Sequence, residues 1–441
     1  MKRFIDQELK RWKESSRRKP LILRGARQVG KTYSVREFGK DCFDNIALVD
    51  LERNRGWHRI FDGDLNARRI CADLEILLNQ KILFGKTLLF IDEIQACPRA
   101  ITALRYFYEE LPDLHVVAAG SLLELAMKDI SFPVGRVQFS NLYPLCFAEY
   151  LQATGKDEAA AIILGHPVKV SETAHAFLIE ELRRYFFIGG MPESVRAFAE
   201  TGSMRDAFEV QAEICETYRL DFAKYSPRAD KHCLNAVLTT ITQNVGQQIK
   251  YSRLGDGYSN PTLKRAFELL CLANIIRKIP SVDLSGLPLG ATASEKIFKA
   301  LLVDIGLMRH LTGMPVDVEY GKADLLSIYS GAMAEQFVGQ EMVLSQKGDI
   351  YYWSRHAKSS SAEVDYVVVI DGKIYPTKVK SGAAGRLKSL HLFLETYKNS
   401  PKGIVFSIRP YAELPEKNIM FVPLYFALSA TGGGRYNFIT H

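Results

Sequence analysis

The first third of the chain alternates short apolar runs with longer stretches whose apolar residues recur at helical spacing. This alternation, over residues 20–145, is typical of βαβ units and predicts a mostly parallel sheet. We expect strands in the segments PLILR, NIALVDL, TLLFID, HVVAAG and RVQFSNL. The fold class predicted for residues 1–150 is therefore α/β.

The remaining chain changes pattern twice. Residues 151–245 show helical spacing without a strand pattern, which predicts a helical region. In 247–280 we expect a helix, a Gly-rich turn and a second helix that is capped by Ser259 or Asn260 and has Pro261 at its first position. This spacing is that of a helix-turn-helix. The last block, 319–441, predicts a small α+β domain with a helix at GAMAEQFVGQEMVLSQ, a hairpin at AEVDYVVVIDGKIYPTKVK, a helix at RLKSLHLFLETY and a final strand at GIVFSI.

Composition adds few constraints. At 441 residues, with 47% hydrophobic and 24% charged residues, the chain is expected to form two to four globular domains. No apolar run approaches the roughly 18 residues that span a bilayer, and the first residues are charged, so we expect a cytoplasmic protein without a membrane partner. Seven isolated cysteines and nine histidines show no ligand spacing, which predicts no structural metal. A net charge of +7 permits a polyanionic partner without requiring one.

A phosphate-binding pattern follows the first predicted strand. The sequence GARQVGKT places two glycines five residues apart, and a lysine and a threonine follow the second. Such a loop lets backbone N–H groups face a phosphate at the positive end of the next helix. We therefore predict that ATP is bound by Gly25, Ala26, Arg27, Gln28, Val29, Gly30, Lys31 and Thr32. Lys31 would reach the β- and γ-phosphates and Thr32 would hold Mg²⁺; the alternative is a glycine-containing turn without nucleotide.

An acidic pair follows another buried-type strand, TLLFIDEIQ. Its four apolar residues suit a strand beside the P-loop strand in the sheet interior. Asp92 would complete the Mg²⁺ shell, and Glu93 would polarise the attacking water. An acidic pair at a strand end can also be only a solvated surface. The combination with the P-loop favours the catalytic interpretation.

These sequences together resemble the AAA-type branch of P-loop ATPases. That resemblance implies an extra strand between the P-loop strand and the strand of Asp92, and a γ-phosphate sensor at Ser121 after HVVAAG. Arg136, in the sequence SFPVGRV, is the candidate for a charge-neutralising arginine that acts in its own subunit or on a neighbour in a homo-oligomer. A structural arginine paired with a carboxylate is the alternative.

Nearly the whole chain resembles a group of bacterial and archaeal AAA-type ATPases of poorly defined function. These share a GGMPE-like turn, matched at Gly189 to Glu193, and a winged-helix-like part, which implies such a module over 246–318. If the module contacts DNA phosphates, four basic residues are candidates. They are Lys250, Arg253, Lys264 and Arg265.

The C-terminal hairpin carries a second constellation. Asp371-Gly372 between apolar runs favours a two-residue turn, so that residues whose numbers add to 743 face each other. Asp365 then faces Lys378, and Glu363 faces Lys380. This layout resembles the PD-(D/E)xK nuclease-like fold, with Asp365 and Lys380 in its first and last roles and Glu335 at its helix position.

Lys378 stands where the resemblance implies a carboxylate, and an ammonium there repels a divalent cation. We therefore predict a degenerate nuclease-like domain used for binding. Cleavage would survive only if Glu363 or Glu335 replaced the lost carboxylate, or if Pro376 introduced a bulge.

The sequence thus favours an ATPase that uses ATP and Mg²⁺ and couples hydrolysis to DNA or protein binding through its C-terminal half. An ATP-regulated, Mg²⁺-dependent DNA endonuclease and a slow nucleotide-switched protein-interaction module are the alternatives.

Overall fold

The computed structural model describes residues 1–126, 133–225, 230–283, 287–313, 330–346, 350–357, 360–380 and 387–432. Within these, the chain divides into two compact units. The first comprises residues 1–143 with the short segment 272–274, and the second comprises the remaining chain. The expected domain boundary at 318/319 lies outside the described residues.

The first unit is an α/β domain around a parallel sheet in the order β2-β3-β4-β1-β5. All five strands predicted from the sequence are confirmed. They are β1 (Leu21–Arg24), β2 (Asn45–Asp50), β3 (Thr87–Asp92), β4 (His115–Ala119) and β5 (Gln138–Asn141). The helices are α1 (Phe4–Glu14), α2 (Lys31–Cys42), α3 (Ala67–Leu78), α4 (Pro98–Glu110) and α5 (Leu123–Ala126).

The strand order corrects one expectation and confirms another. β4 pairs with both β1 and β3, so β3 does not lie directly beside the P-loop strand. The inserted strand is the one that the AAA-type resemblance implies. Because the strands are parallel, the carboxyl ends of β1, β3 and β4 open on the same edge of the sheet. Buried side chains from the strands and α4, such as Leu89, Ala118 and Leu104, form the core beneath that edge.

The second unit begins with the predicted helical region. Its helices are α6 (Phe147–Ala153), α7 (Asp157–Leu164), α8 (Glu172–Ile188), α9 (Pro192–Thr201), α10 (Met204–Tyr225) and α11 (Lys231–Gln243). At the GGMPE turn, Gly189 adopts φ 70°, and a Cβ atom there would lie 2.3 Å from Asp304 Oδ1. The buried Asp304 carboxylate accepts a hydrogen bond from the N–H of Gly190 at 2.6 Å. The turn therefore requires glycine for both its conformation and its packing.

An eight-stranded mixed sheet forms the rest of the second unit, in the order β12-β13-β11-β10-β9-β8-β6-β7. Its strands are β6 (Ile276–Val282), β7 (Ala293–Leu302), β8 (Tyr351–Ala357), β9 (Ser360–Ile370), β10 (Lys373–Val379), β11 (Gly403–Ser407), β12 (Ala412–Leu414) and β13 (Ile419–Pro423). The helices of this part are α12 (Asn260–Leu272), α13 (Ile305–Leu311), α14 (Ser330–Gln346), α15 (Lys388–Thr396) and α16 (Ala427–Thr431). Buried residues of the sheet and α15, including Trp353, Val364 and Phe393, pack into one core.

Three local predictions in the second unit are wrong. The expected helix before the Gly-rich turn is only a 3₁₀ turn, Tyr251–Arg253, and the following helix ends at Leu272 rather than near residue 280. Asn274 adopts φ 58°, and the N–H of Ile275 bonds to the carbonyl of Leu270 at 3.1 Å. This left-handed C-terminal cap ends α12 and turns the chain into β6. Also, GIVFSI is not the last strand, because β12 and β13 follow it.

None of the helices in the described parts of the chain is long and apolar enough to cross a bilayer.

Candidate functional site

The loop between β1 and α2 has a backbone that its sequence makes possible. Gly25 has φ 147°, and a Cβ atom there would lie 2.2 Å from the carbonyl oxygen of Leu142. Gln28 (φ 63°) and Gly30 (φ 93°) also lie in the left-handed region, and Gly30 is the N-cap of α2. Glycine is the residue that takes such conformations at least cost. The loop thus ends at the positive end of a 12-residue helix, which is where phosphates bind in many proteins.

The side chain of Lys31, the first residue of α2, is buried against this loop rather than exposed to solvent. It is 7% exposed, and its ammonium group donates to the carbonyls of Gly25 at 2.9 Å and Ala26 at 2.7 Å. Burial lowers the pKa of Lys31 to about 8, although Glu93 and Asp92 oppose that shift. An anion beside the ammonium would favour its charged form.

Thr32 and Asp92 meet across the site. The hydroxyl of Thr32, at the start of α2, donates to Asp92 Oδ2 at 2.8 Å, and Asp92 is the last residue of β3. Burial raises the pKa of the Asp92 carboxyl, and the hydrogen bond from Thr32 opposes this. The chain therefore brings together the two oxygen donors that the sequence analysis singled out for Mg²⁺.

Glu93 turns the chain sharply after β3. It adopts φ 48°, a conformation that costs a non-glycine residue about 1–2 kcal/mol and is often found at functional sites. The side-chain amide of Gln95 donates to the Glu93 carboxylate. A Cβ atom at Gly120 would lie 2.2 Å from Gln95 Oε1, so that glycine makes room for the amide. Gln95 was not among the predicted site residues, since nothing in its spacing distinguishes it from a surface residue.

Ser121 is the second residue after β4 and is buried. Its hydroxyl accepts a hydrogen bond from Nε of Arg27, a P-loop residue, at 3.3 Å. A terminal nitrogen of the same guanidinium lies 3.8 Å from the carboxylate of Glu52. Ser121 is thus joined to the P-loop through Arg27.

Arg136 has a different environment. Its side chain is 46% exposed, and its Nε lies 2.8 Å from Glu109 Oε1 near the end of α4. The carboxylate raises the pKa of Arg136 further above its usual value. Its guanidinium donates to Glu109 of α4, and its backbone N–H donates to the carbonyl of Pro133.

The hairpin of β9 and β10 has the register predicted from its turn. Paired residues from Ile370–Lys373 to Tyr366–Thr377 add to 743, and no bulge interrupts the ladder at Pro376. The ammonium group of Lys378 lies 2.6 Å from Asp365 Oδ1, as expected for facing residues.

Glu363 lies 2.6 Å from the ammonium group of Lys299 on β7. Lys299 was not among the predicted site residues. One signal was present: a single lysine within the apolar run IFKALL is typical of a buried charge that needs a partner.

Comparison with known families supports the assignment of the first unit. A family model described as an AAA domain matches residues 17–151. Two further models, each described as a domain of unknown function (DUF8612 and DUF4143), match residues 179–317 and 330–426. The match over residues 17–151 supports an AAA-type domain in the N-terminal part of the chain, and the parallel five-stranded sheet agrees with it.

Individual relatives are distant. An uncharacterized protein of Haemophilus influenzae is 26% identical over 258 residues, which cover 55% of this chain and 57% of that protein. The walker-type ATPase of Pyrococcus abyssi is 17% identical, with 69% of this chain and 94% of that chain covered and a TM-score of 0.44. The RuvB Holliday junction branch migration motor of Thermotoga maritima is also 17% identical, with 63% and 89% covered and a TM-score of 0.30.

Proposed function

We propose that this protein is an ATPase that binds and hydrolyses ATP with Mg²⁺ at the edge of the parallel sheet. The observation that carries the proposal is the 2.8 Å hydrogen bond between the Thr32 hydroxyl and the Asp92 carboxylate, next to Lys31 in the P-loop. Two distant segments supply oxygen donors at one point beside a helix N-terminus. That combination suits a nucleoside triphosphate with its divalent cation better than it suits a purely structural turn.

The donor set fits the cation. A hydroxyl and a carboxylate are hard oxygen ligands of the kind that Mg²⁺ prefers, so Thr32 and Asp92 would hold it. When bound, Mg²⁺ would neutralise negative charge on the phosphates. Lys31, whose ammonium now donates to loop carbonyls, would donate to phosphate oxygens instead. The backbone of residues 25–30 would surround the phosphates.

Glu93 is the proposed general base. Its carboxylate adjoins Asp92 in sequence, and Gln95 orients it through a side-chain hydrogen bond. In that orientation it would accept a proton from the water that attacks the terminal phosphate. Ser121 and Arg27 form a second polar group beside the loop, which suits a γ-phosphate sensor.

Arg136 is the proposed charge-neutralising residue for a neighbouring subunit of a homo-oligomer. It is half exposed, and its ion pair with Glu109 lies at the surface. Exposed ion pairs are weak and are screened by salt, so a phosphate could displace Glu109 from Arg136 at little cost.

The variant Glu93→Gln tests the base directly. It keeps the size and the hydrogen-bonding ability of the side chain but removes the proton acceptor. We expect ATP affinity to stay within about twofold and turnover to fall at least about 100-fold, measured as phosphate release under saturating ATP. Turnover equal to that of the unaltered protein would remove Glu93 from this role.

We further propose that hydrolysis is coupled to DNA, or to a protein partner, through the second unit. α11, the 3₁₀ turn, α12 and the antiparallel pair β6–β7 follow one another in the order of a winged helix. An isolated bridge between Ile249 and Phe298 adds a short first strand to that pair. The side chains of Lys264 and Arg265 on α12 are exposed, as are those of Lys250 and Arg253. These positions suit phosphate contacts.

A cytoplasmic location belongs to the same proposal. The endonuclease alternative is disfavoured by the lysines that surround Asp365. A slow nucleotide-switched interaction module differs from the main proposal in one respect. Its ATP turnover would not respond to DNA.

A further inference from the structure

Lys299 is a buried charge in the second unit, and the ATPase site does not involve it. It lies on β7, its side chain is 2% exposed, and lysine is almost never buried to this extent without partners. Its ammonium nitrogen lies 2.7 Å from Glu335, 2.6 Å from Glu363 and 3.7 Å from Asp365. We refer to these four residues together with Lys378 as the Lys299 cluster.

The three carboxylates come from two elements, a helix and a strand. Glu335 lies on α14, and Glu363 and Asp365 lie on β9. Convergence of carboxylates from a helix and a strand on one point is an arrangement that proteins use to bind a divalent cation. Here the point of convergence is the lysine nitrogen. No group of three His, Cys, Asp or Glu side chains in the described chain is arranged to hold a metal ion.

Further donors satisfy the carboxylates of the hairpin strand. Gln248 donates to Glu363 Oε2 at 2.7 Å. Asp365 accepts from Lys378 at 2.6 Å on one oxygen and from the N–H of Val379 at 2.7 Å on the other. A metal ion would therefore have to displace existing hydrogen bonds as well as the ammonium group.

Charge within the cluster is nearly balanced. Burial lowers the pKa of Lys299, but Glu335, Asp365 and Glu363 raise it by more, so the lysine stays protonated. Burial raises the pKa of Glu335 to about 8, against the opposing effect of Lys299. Two lysines lie among three carboxylates in this cluster, so their formal charges nearly cancel. A divalent cation added beside both lysines would bring two further positive charges into a nearly neutral group.

Glu335 is also enclosed by its surroundings. A Cβ atom at Gly246, which adopts φ 81°, would lie 2.9 Å from Glu335 Oε2. The hydroxyl of Tyr366 on β9 donates to the backbone carbonyl of Glu335 at 2.8 Å. The cluster thus joins β7, α14, the hairpin and the loop that follows α11, and its loss would loosen all of them.

We propose that the ammonium group of Lys299 is the built-in cation of this acidic site. It takes the position of a divalent metal ion, holds β7 to α14 and β9, and leaves the site without metal-dependent hydrolysis of nucleic acid. The second unit therefore contributes binding rather than cleavage. This inference does not depend on the proposed ATPase activity.

The variant Lys299→Met tests the proposal, because it removes the cation and nearly keeps the side-chain volume. Leaving the carboxylates unpaired should lower Tm by roughly 10 °C. Mn²⁺ added without nucleotide should then bind at the vacated position and recover at least about half of that loss at 100 times its Kd. The unaltered protein should show no such Mn²⁺-dependent shift.

Two control variants isolate the site. Lys278→Met removes another lysine of the same sheet, paired with Glu295 at 2.8 Å, and should show no rescue by Mn²⁺. The double variant Lys299→Met/Glu363→Gln should lose the rescue, because one ligand is gone. A Lys299→Met protein with unchanged Tm and no response to Mn²⁺ would overturn the proposal.

A measurement on the unaltered chain keeps the test decisive if Lys299→Met does not fold. Mn²⁺ binding is followed by water-proton relaxation in the unaltered protein and in Asp365→Asn. Equal, weak binding by both supports a site already filled by Lys299. Tight binding that Asp365→Asn abolishes would show that the metal displaces the lysine, and the proposal would fail.

Discussion

At the scale of single residues, the ATPase proposal rests mainly on the contact between Thr32 and Asp92. A short hydrogen bond joins an alcohol and a buried carboxylate that are 60 positions apart. Lys31, Glu93 and Gln95 adjoin that pair in sequence and complete a site with one ammonium and two carboxylate groups. Each has a distinct proposed task, so substitutions should separate phosphate binding from proton transfer.

Lys31 makes ATP affinity depend on pH. Its pKa in the folded protein, about 8, lies below its ordinary value of 10.5, so the unfolded chain holds more protons between these values and stability rises with pH there. Triphosphate favours the charged ammonium, so binding takes up a proton above about pH 8. We expect ATP affinity to fall by up to about tenfold per pH unit above pH 8, measured by calorimetry in buffers of different ionisation enthalpy.

Lys31→Arg is the control for this pH dependence, since guanidinium stays charged throughout the range. Its ATP affinity should be weaker than that of the unaltered protein but flat from about pH 7 to 9.5. An unaltered protein whose affinity is equally flat would show that Lys31 does not change its protonation on binding.

Sequence alone singled out most of the residues that the structure brings together around the P-loop, because they lie in two short segments, each attached to an apolar strand. Gly25 to Thr32 follow β1. Asp92 is the last residue of β3, and Glu93 follows it. Lys299 was missed for the opposite reason. Its partners lie 36 to 66 positions away, on elements whose approach depends on tertiary packing. The spacing of residues in the sequence does not predict such a contact.

At the scale of elements, the β9–β10 hairpin shows how a turn fixes the pairing of distant charges. Asp371 and Gly372 have φ 48° and 74°, as a type I′ turn requires. That turn places Asp365 opposite Lys378 without help from the rest of the chain. The boundary between α12 and β6 was less predictable. The end of α12 depends on Asn274 in a left-handed conformation, which asparagine adopts only in some contexts.

Gly372→Ala tests the turn. A Cβ atom there meets no other atom within 4 Å, so the expected destabilisation of about 1–2 kcal/mol is purely conformational. Urea unfolding followed by Trp fluorescence measures it. Gly331→Ala is the matched control: the site is equally open, its φ is not left-handed, and stability should change by less than about 0.5 kcal/mol. Equal stability of both variants would exclude the type I′ turn.

At the scale of the whole molecule, the proposal joins an ATPase unit to a unit that binds without cutting. In this proposal the edge of the parallel sheet holds a triphosphate, and the Lys299 cluster satisfies its own acidic groups. Coupling between the two units would appear as a change in ATP turnover when the second unit binds its partner.

The double variant Lys264→Glu/Arg265→Glu tests whether that partner is DNA. We expect double-stranded DNA to bind more weakly, with the slope of log affinity against log salt reduced by about 2, and DNA stimulation of ATP turnover to disappear. Turnover without DNA should not change. Lys388→Glu/Lys417→Glu alters net charge equally at other exposed positions and should behave as the unaltered protein. DNA binding unaffected by the α12 variant would exclude this helix, and absence of any DNA effect would favour a protein partner.

Direct titration of ATP, with Mg²⁺ present, into the unaltered protein and into Lys31→Ala tests the central claim most directly. Calorimetry should show one ATP bound per chain, and loss of the ammonium donor should weaken binding roughly 10- to 100-fold. A protein that releases no heat with ATP, or whose ATP affinity is the same in Lys31→Ala, would contradict the assignment of residues 25–32 as the site that holds the triphosphate.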